Sequence, residues 1–157
     1  MKAAAELDAP AGLDQSRLTT LVGYAASRAA IELRKAFARH LGPLGLKVLD
    51  YSIMVLVASN PEVNQKQLGE ALDVSAPNMA IAIDRLVEAG WAERVRSTRD
   101  RRAMLIHLTR AGRDLLQRAE KIAATMEQGP LRGLSPAERA LLVELLLKVA
   151  WGAAARA

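Results

Sequence analysis

Apolar residues recur three or four places apart through the first quarter of the chain: Leu18, Leu21, Ala25, Ala29, Leu33, Phe37 and Leu41. That spacing predicts one long helix from Arg17 to Leu41 with a single apolar stripe. "GPLG" (42–45) ends it. A second helix is expected from about Lys47 to Ala58, stopping before "NPEVN". Asn64 with Gln67 three places on forms a capping box for a short third helix. "GEALDVS" then turns, and Ser75 caps a fourth helix with Pro77 in its first turn, where a missing N–H does no harm. Gly90 stops that helix. The period now falls from helical to two. "WAERVRS" and "AMLIHLT" read as the strands of a hairpin, with Met104, Ile106 and Leu108 turned inward and His107 outward. Thr109 caps a fifth helix running to about Gln128, and Ser135 with Glu138 forms a second capping box that opens a sixth.

The order is helix, helix, helix–turn–helix, hairpin, helix, helix, with no internal repeat or low-complexity segment. A short helix, a tight turn and a second helix make a helix-turn-helix unit, and a hairpin directly after it is a wing. The expected fold is mainly α with a small β-hairpin wing: a winged helix-turn-helix domain with flanking helices.

Composition narrows the function. The chain has 157 residues, 51% hydrophobic and 25% charged, as in an ordinary globular domain. A net charge of +5 favours a polyanionic partner. The distribution says more than the sum: Arg94, Arg96, Arg99, Arg101 and Arg102 stand against the single acid Asp100 in nine residues around the hairpin turn. Clustered arginines at a wing tip are placed to meet phosphate or enter a minor groove. The absence of cysteine removes disulfides, thiolate metal sites and thiol redox sensing. With two histidines, no Gly-rich phosphate loop and no nucleophile motif, neither an enzyme nor a metal or cofactor site is expected. The opening "MKAAAELDAPAG" lacks the apolar core of a signal peptide. "ALLVELLLKVAW" (140–151) is interrupted by Glu144 and Lys148 and is too short for a bilayer, so a cytoplasmic protein without membrane contact is expected.

"QLGEALDVSAPNMAIAIDRLVEAGW" followed by "DRRAMLIHLTRAGRDLL" resembles the MarR family of bacterial transcriptional regulators. The most specific match is D-R-R, five residues, then L-T-x-x-G: Asp100, Arg101, Arg102, Leu108, Thr109 and Gly112. "LGLKVLDYSIMVL" looks like the family's second helix, and the likeness covers roughly residues 17 to 155. It implies a homodimer whose first, fifth and sixth helices interlock, each subunit reading half of a near-palindromic operator and usually repressing. Many members release DNA when a small phenolic or aromatic acid binds between the dimerisation helices and the winged helix. The organisation expected on this basis is a flexible tail over 1–16, an N-terminal dimerisation helix over 17–46, a winged helix-turn-helix domain over 47–110 and C-terminal dimerisation helices over 111–157. The all-round apolar sixth helix (Leu141, Leu142, Leu145, Leu146, Val149) fits burial by a second subunit.

The resemblance assigns Arg102 to the minor groove and Asp100 to the carboxylate that steadies it. The residues themselves make Arg94, Arg96, Arg99 and Arg101 phosphate contacts, giving affinity and salt dependence without sequence preference. If Met79, Ile83 and Leu86 face inward, then Ala76, Pro77, Asn78, Ala80 and Ile81 face DNA. Many relatives carry threonine where Ala80 stands and arginine where Ile81 stands. This neutral face suits an A·T-rich operator, Asn78 pairing with an adenine edge while Ala80 and Ile81 touch thymine methyls. Asp84 and Arg85 match a common family pair, Arg85 directed at phosphate and Asp84 structural. Ser75 and Asn64 stand at helix starts whose N–H groups can hold phosphate. For an effector the candidates are Arg28 for a carboxylate, Tyr51 and Met54 for an aromatic or heteroaromatic ring, and Tyr24, Ser27, Ile31 and His40 alongside. Two rival readings share the basic hairpin: a sequence-independent architectural DNA binder, and a winged helix that binds only protein.

Overall fold

The computed structural model describes residues 12–97 and 104–152. Its elements, in chain order, are α1 (Ser16–Thr19), α2 (Val22–His40), a 3-10 turn (Gly42–Leu44), α3 (Val48–Ser59), α4 (Gln65–Leu72), α5 (Ala76–Glu88), β1 (Ala92–Arg96), β2 (Met104–Leu108), α6 (Arg110–Met126) and α7 (Pro136–Trp151). This is the helical fold with a hairpin wing that the periodicities predict. The expected first helix is divided, however. The hydroxyls of Thr19 and Thr20 bond back to the carbonyls of Ser16 and Arg17, both at 3.1 Å, and the chain leaves helical geometry before Val22. Threonines that satisfy themselves locally compete with the helix ladder, and an apolar stripe does not reveal that.

Two compact units emerge, Phe37–Met126 and the remainder of the chain. In the first, Leu41, Ile53, Met54, Leu68, Met79, Ile83, Leu86 and Ile106 are wholly enclosed. Each such side chain contributes on the order of 1.5–3 kcal/mol relative to exposure. Leu115, Leu116 and Ala119 of α6 lie in the same core, so α6 belongs with this unit, whereas the sequence suggested a boundary at 111.

The helix-turn-helix is built from local signals. Asn64 and Gln67 exchange 3.0 Å bonds at the start of α4. After α4, Asp73 takes the left-handed conformation (φ 51°) and Val74 N donates to Gly69 O at 2.9 Å. A Cβ on Gly69 would lie 3.0 Å from the carbonyl oxygen of Val74, so a larger residue there would press on the turn. Helix α5 ends in a Schellman motif: Gly90 (φ 72°) donates to Val87 O and Trp91 N to Leu86 O, both at 2.9 Å.

Strands β1 and β2 pair antiparallel from Ala92↔Leu108 to Arg96↔Met104. Ile106 N donates to Val63 O at 3.0 Å, which joins the segment before α4 to the wing sheet. Ile106 and Leu108 are buried as the alternation predicts, but Met104 is 42% exposed because it lies at the far end of the hairpin, beyond the core. His107 is half-buried and bonded to Pro61 O at 2.9 Å, so its solvent-facing assignment holds only in part.

The L-T-x-x-G motif is the joint between wing and α6. Thr109 donates through its hydroxyl to Gly90 O (2.7 Å) and accepts from Gly112 N (3.0 Å), while Thr109 N donates to Trp91 O (3.1 Å). A Cβ on Gly112 would lie 1.9 Å from Trp91 O, so glycine alone allows the helix to approach the start of β1 this closely.

In the second unit, α7 opens with the expected capping box, Ser135 N and Oγ donating to Glu138 Oε2 at 2.8 Å. Arg139 Nη2 donates to Leu131 O at 2.9 Å and ties α7 to the turns before it. None of the apolar residues of α7 is buried; Val149 is 69% exposed. The end of the expected tail is held: Gln15 accepts the hydroxyl of Tyr24 from α2, and Ser16 N donates to Asp14 Oδ1 at 2.9 Å.

Candidate nucleic-acid interface

Helix α5 divides its residues sharply. Met79, Ala82, Ile83 and Leu86 are buried in the core, which leaves Ala76, Pro77, Asn78 and Ile81 exposed on one side and Ala80 half-exposed between them. Ile81 stands out, a β-branched apolar side chain 62% open to solvent. No acid or base lies among these outward residues. Ser75 occupies the N-cap position but makes no side-chain cap bond, so its exposed hydroxyl is not engaged in holding the helix start.

Two adjacent charged residues, Asp84 and Arg85, follow on the same helix, and each is bound to a different neighbour. Asp84 accepts from Arg94 Nη2 of β1 at 2.7 Å. Arg85, expected at phosphate, is paired through Nη2 with Asp50 of α3, and a third of its side chain remains exposed. Asp50 is fully buried, and its second oxygen accepts from Lys47 N at 2.9 Å. Sequence reasoning missed Asp50. The available signal was the lone acid in the mostly apolar "LKVLDYSIMVL". The distances also revise the role of Arg94: its guanidinium braces the wing strand against α5. Arg96 is exposed at the end of β1. Arg99, Asp100, Arg101 and Arg102 lie outside the described residues.

The effector candidates fall into the two units. Arg28, exposed on α2, lines an apolar groove of about 790 Å³ with Ala25, Ala29, Leu33, Leu131, Leu142 and Leu146. Ser27 and Ile31 are exposed on α2 and Tyr24 is half-buried against Gln15, but none of the three lines the groove. The contributions of Leu131, Leu142 and Leu146 were not foreseen; the alanines of "AASRAA" were the signal, because small side chains leave room beside a helix. In the other unit, His40 is exposed, and Tyr51 packs edge-on against Phe37 with ring centroids 6.0 Å apart. Burial and, next, the Glu120 carboxylate push the Tyr51 phenol above its ordinary pKa. Met54 exposes nothing; it is a core residue, because its position on α3 points into the centre of the unit. It has no surface in this structure with which to meet a ring.

Comparison with known proteins bears on this arrangement. The sequence pattern described as the MarR family matches residues 44–103. A Thauera aromatica protein, described as a putative transcriptional regulatory protein for the hcr operon, is 30% identical over 129 residues, 82% of this chain and 78% of that one. Among solved structures, the transcriptional repressor CouR bound to a 23-mer DNA duplex has a TM-score of 0.83 and 32% identity, with 88% of this chain and 98% of that chain covered. CouR bound to p-coumaroyl-CoA has a TM-score of 0.79 and 30% identity, covering 88% and 97%. A mutant MarR from E. coli complexed with operator DNA shares the fold at 22% identity, with a TM-score of 0.77 and coverage of 87% and 99%.

Proposed function

The chain belongs to the MarR family of transcriptional regulators, which sets it apart from enzymes, and from that premise we propose that it is a homodimeric repressor of a near-palindromic, A·T-rich operator. The exposed, uncharged face of α5 around Asn78 and Ile81 carries this reading. An exposed isoleucine is costly unless it finds a partner, and thymine methyls in a major groove are one. The amide of Asn78 matches the donor–acceptor edge of adenine. Ser75, Ala76, Pro77 and Ala80 flank these two at the DNA surface. Sequence preference rests on this face; affinity rests on the arginines of the wing, Arg96 with Arg99 and Arg101 at phosphates and Arg102, steadied by Asp100, in the minor groove.

The exposed apolar residues of α7 support a dimer in which residues 17–46 and 111–157 of two copies interlock and residues 47–110 of each reach DNA. The effector is a small aromatic or heteroaromatic acid, its carboxylate meeting Arg28 at the α2 groove. The p-coumaroyl-CoA complex of CouR favours an aromatic acyl group, free or as a coenzyme A thioester, as the recognised part. Among the described residues no helix is long and apolar enough to cross a membrane, and the protein acts in the cytoplasm, where its operator lies.

One measurement separates this from an architectural DNA binder. Selection from random duplexes, followed by titration of the selected and a scrambled duplex at physiological salt, should give a preference of about 10³ or more. Equal affinity for both would replace the repressor with the architectural reading.

A further inference from the structure

Among the described residues Asp50 is the charged side chain with no exposure at all. A buried carboxylate is unfavourable unless its oxygens are bonded, and both of these are. Oδ2 accepts from Lys47 N at 2.9 Å, satisfying the backbone N–H at the start of α3. Oδ1 accepts from Arg85 Nη2 on α5. One carboxylate therefore fastens the first turn of α3 to the helix that presents Asn78 and Ile81. The fastening is directional. Arg85 lies one turn beyond Ile81, and its Nη2 is engaged by Asp50, which holds the guanidinium against α3 while a third of the side chain remains exposed. The neighbouring residue, Tyr51, packs against Phe37 at the end of α2. The first turn of α3 thus touches α2 through Tyr51 and α5 through Asp50.

We infer that Asp50 is a positioning residue for DNA recognition, holding α5 in register through Arg85 so that operator preference, beyond folding, depends on this pair. The inference rests on the operator-binding reading given above. Base contacts need their side chains placed within about 0.5 Å and 10–20°. Apolar packing by Met79, Ile83 and Leu86 tolerates small rotations of a helix, because such contacts have no direction. An ion pair anchored on a buried carboxylate does not, and fixing one arrangement among several similar packings is the best-attested use of buried polar groups.

The test compares the full-length parent with Asp50→Asn on two duplexes, one selected by the parent from random DNA and one scrambled. Asparagine keeps the volume and still accepts from Lys47 N, but removes the charge that holds Arg85. Asp50→Asn should lose tenfold or more in affinity for the selected duplex while holding or gaining affinity for the scrambled one. Release of Arg85 to the DNA backbone should also steepen the salt slope by about 0.9. All titrations are run well below the unfolding temperature, with helicity checked by circular dichroism. Should Asp50→Asn not fold, Asp50→Asn/Arg85→Gln removes both charges, leaves none buried and unpaired, and should likewise lose preference. If both duplexes lose affinity alike in a folded variant, or neither does, Asp50 is only a structural residue and the inference is overturned. A parent that binds both duplexes equally overturns the functional reading, and the inference with it; a parent with strong preference that its variants retain overturns the inference alone.

Discussion

Arg94 Nη2 donates to Asp84 Oδ1 at 2.7 Å, joining the first strand of the wing to α5, ten residues earlier in the chain. The pair is partly exposed, with side-chain exposures of 32% and 54%, so its direct contribution to stability is about 0–1 kcal/mol. Its effect falls on charge placement. Asp84→Asn should leave the melting temperature nearly unchanged, free Arg94 for phosphate and steepen the salt slope for scrambled DNA by about 0.9. Titrations between 50 and 200 mM salt would check this; an unchanged slope would mean that Arg94 stays against α5 without its acid.

The wing arginines should separate by role. Arg96→Ala should weaken binding to selected and scrambled duplexes alike and flatten the salt slope by about 0.9. Arg102→Ala should cost about 1–3 kcal/mol on the selected duplex alone, as loss of a groove contact. Fluorescence anisotropy on both duplexes distinguishes the two. Parental binding by Arg102→Ala would remove it from the groove.

The same contrast explains what was legible beforehand. The capping pairs Asn64/Gln67 and Ser135/Glu138 and the Thr109–Gly112 joint span three residues each, and short-range hydrogen bonding between known residue types can be read from a string. The inward face of α5 follows from helical period alone. The partners of Arg85 and Arg94 cannot be read so, because Asp50 lies 35 residues from Arg85 and only the fold brings them together. Assigning both arginines to phosphate was the natural reading of a basic, helix-borne residue with its partner unknown. The division of the first helix escaped for the opposite reason: the apolar spacing continues across Thr19 and Thr20, while the local hydroxyl bonds that interrupt it leave no mark on the period.

Gly112→Ala should be severe, because Gly112 is buried where α6 meets the start of β1. The new methyl would meet Trp91 O at 1.9 Å, and that carbonyl is already fixed by Thr109 N at 3.1 Å. Either α6 or the start of β1 must move, at a cost of about 1–3 kcal/mol typical of overpacking. Thermal unfolding should show a drop of several degrees. A variant as stable as the parent would mean that the joint is looser than these distances imply.

Acid should loosen the start of α7. Bonds from Ser135 N and then its hydroxyl hold the Glu138 carboxyl below its ordinary pKa. A carboxylate with a depressed folded-state pKa stabilises the folded form above the unfolded value, near 4.5, and that stabilisation fades as pH falls through the folded value. Helicity at α7 should therefore be constant from neutral pH down to about 5 and decline below about 4. Ser135→Ala should weaken that decline. Amide exchange in residues 137–140 would register it, and exchange that rises instead between pH 5 and 7 would assign the loosening to another group.

Release by effector is tested at Arg28. A benzoate- or hydroxycinnamate-like acid, or its coenzyme A thioester, should lower the affinity for the selected duplex, with a coupling of about 1–3 kcal/mol. Arg28→Ala should bind DNA as the parent does and lose the response to the free acid. Equal sensitivity of parent and variant would place the carboxylate elsewhere. A response to the thioester but not the acid would identify the activated acyl group as the signal.

The chain has two tryptophans, and the division at Phe37 and Met126 gives one to each unit: Trp91 where the wing meets α6, and Trp151 at the end of α7. Trp91 is half-buried and Trp151 is 66% exposed. The molecule thus carries its own pair of optical reporters at different wavelengths, a blue-shifted emission from the Phe37–Met126 unit and a water-like emission from the other. With Trp151→Phe, the remaining signal follows the Phe37–Met126 unit alone; with Trp91→Phe, a blue shift on raising protein concentration is expected if a second chain covers α7 as proposed, without any added label.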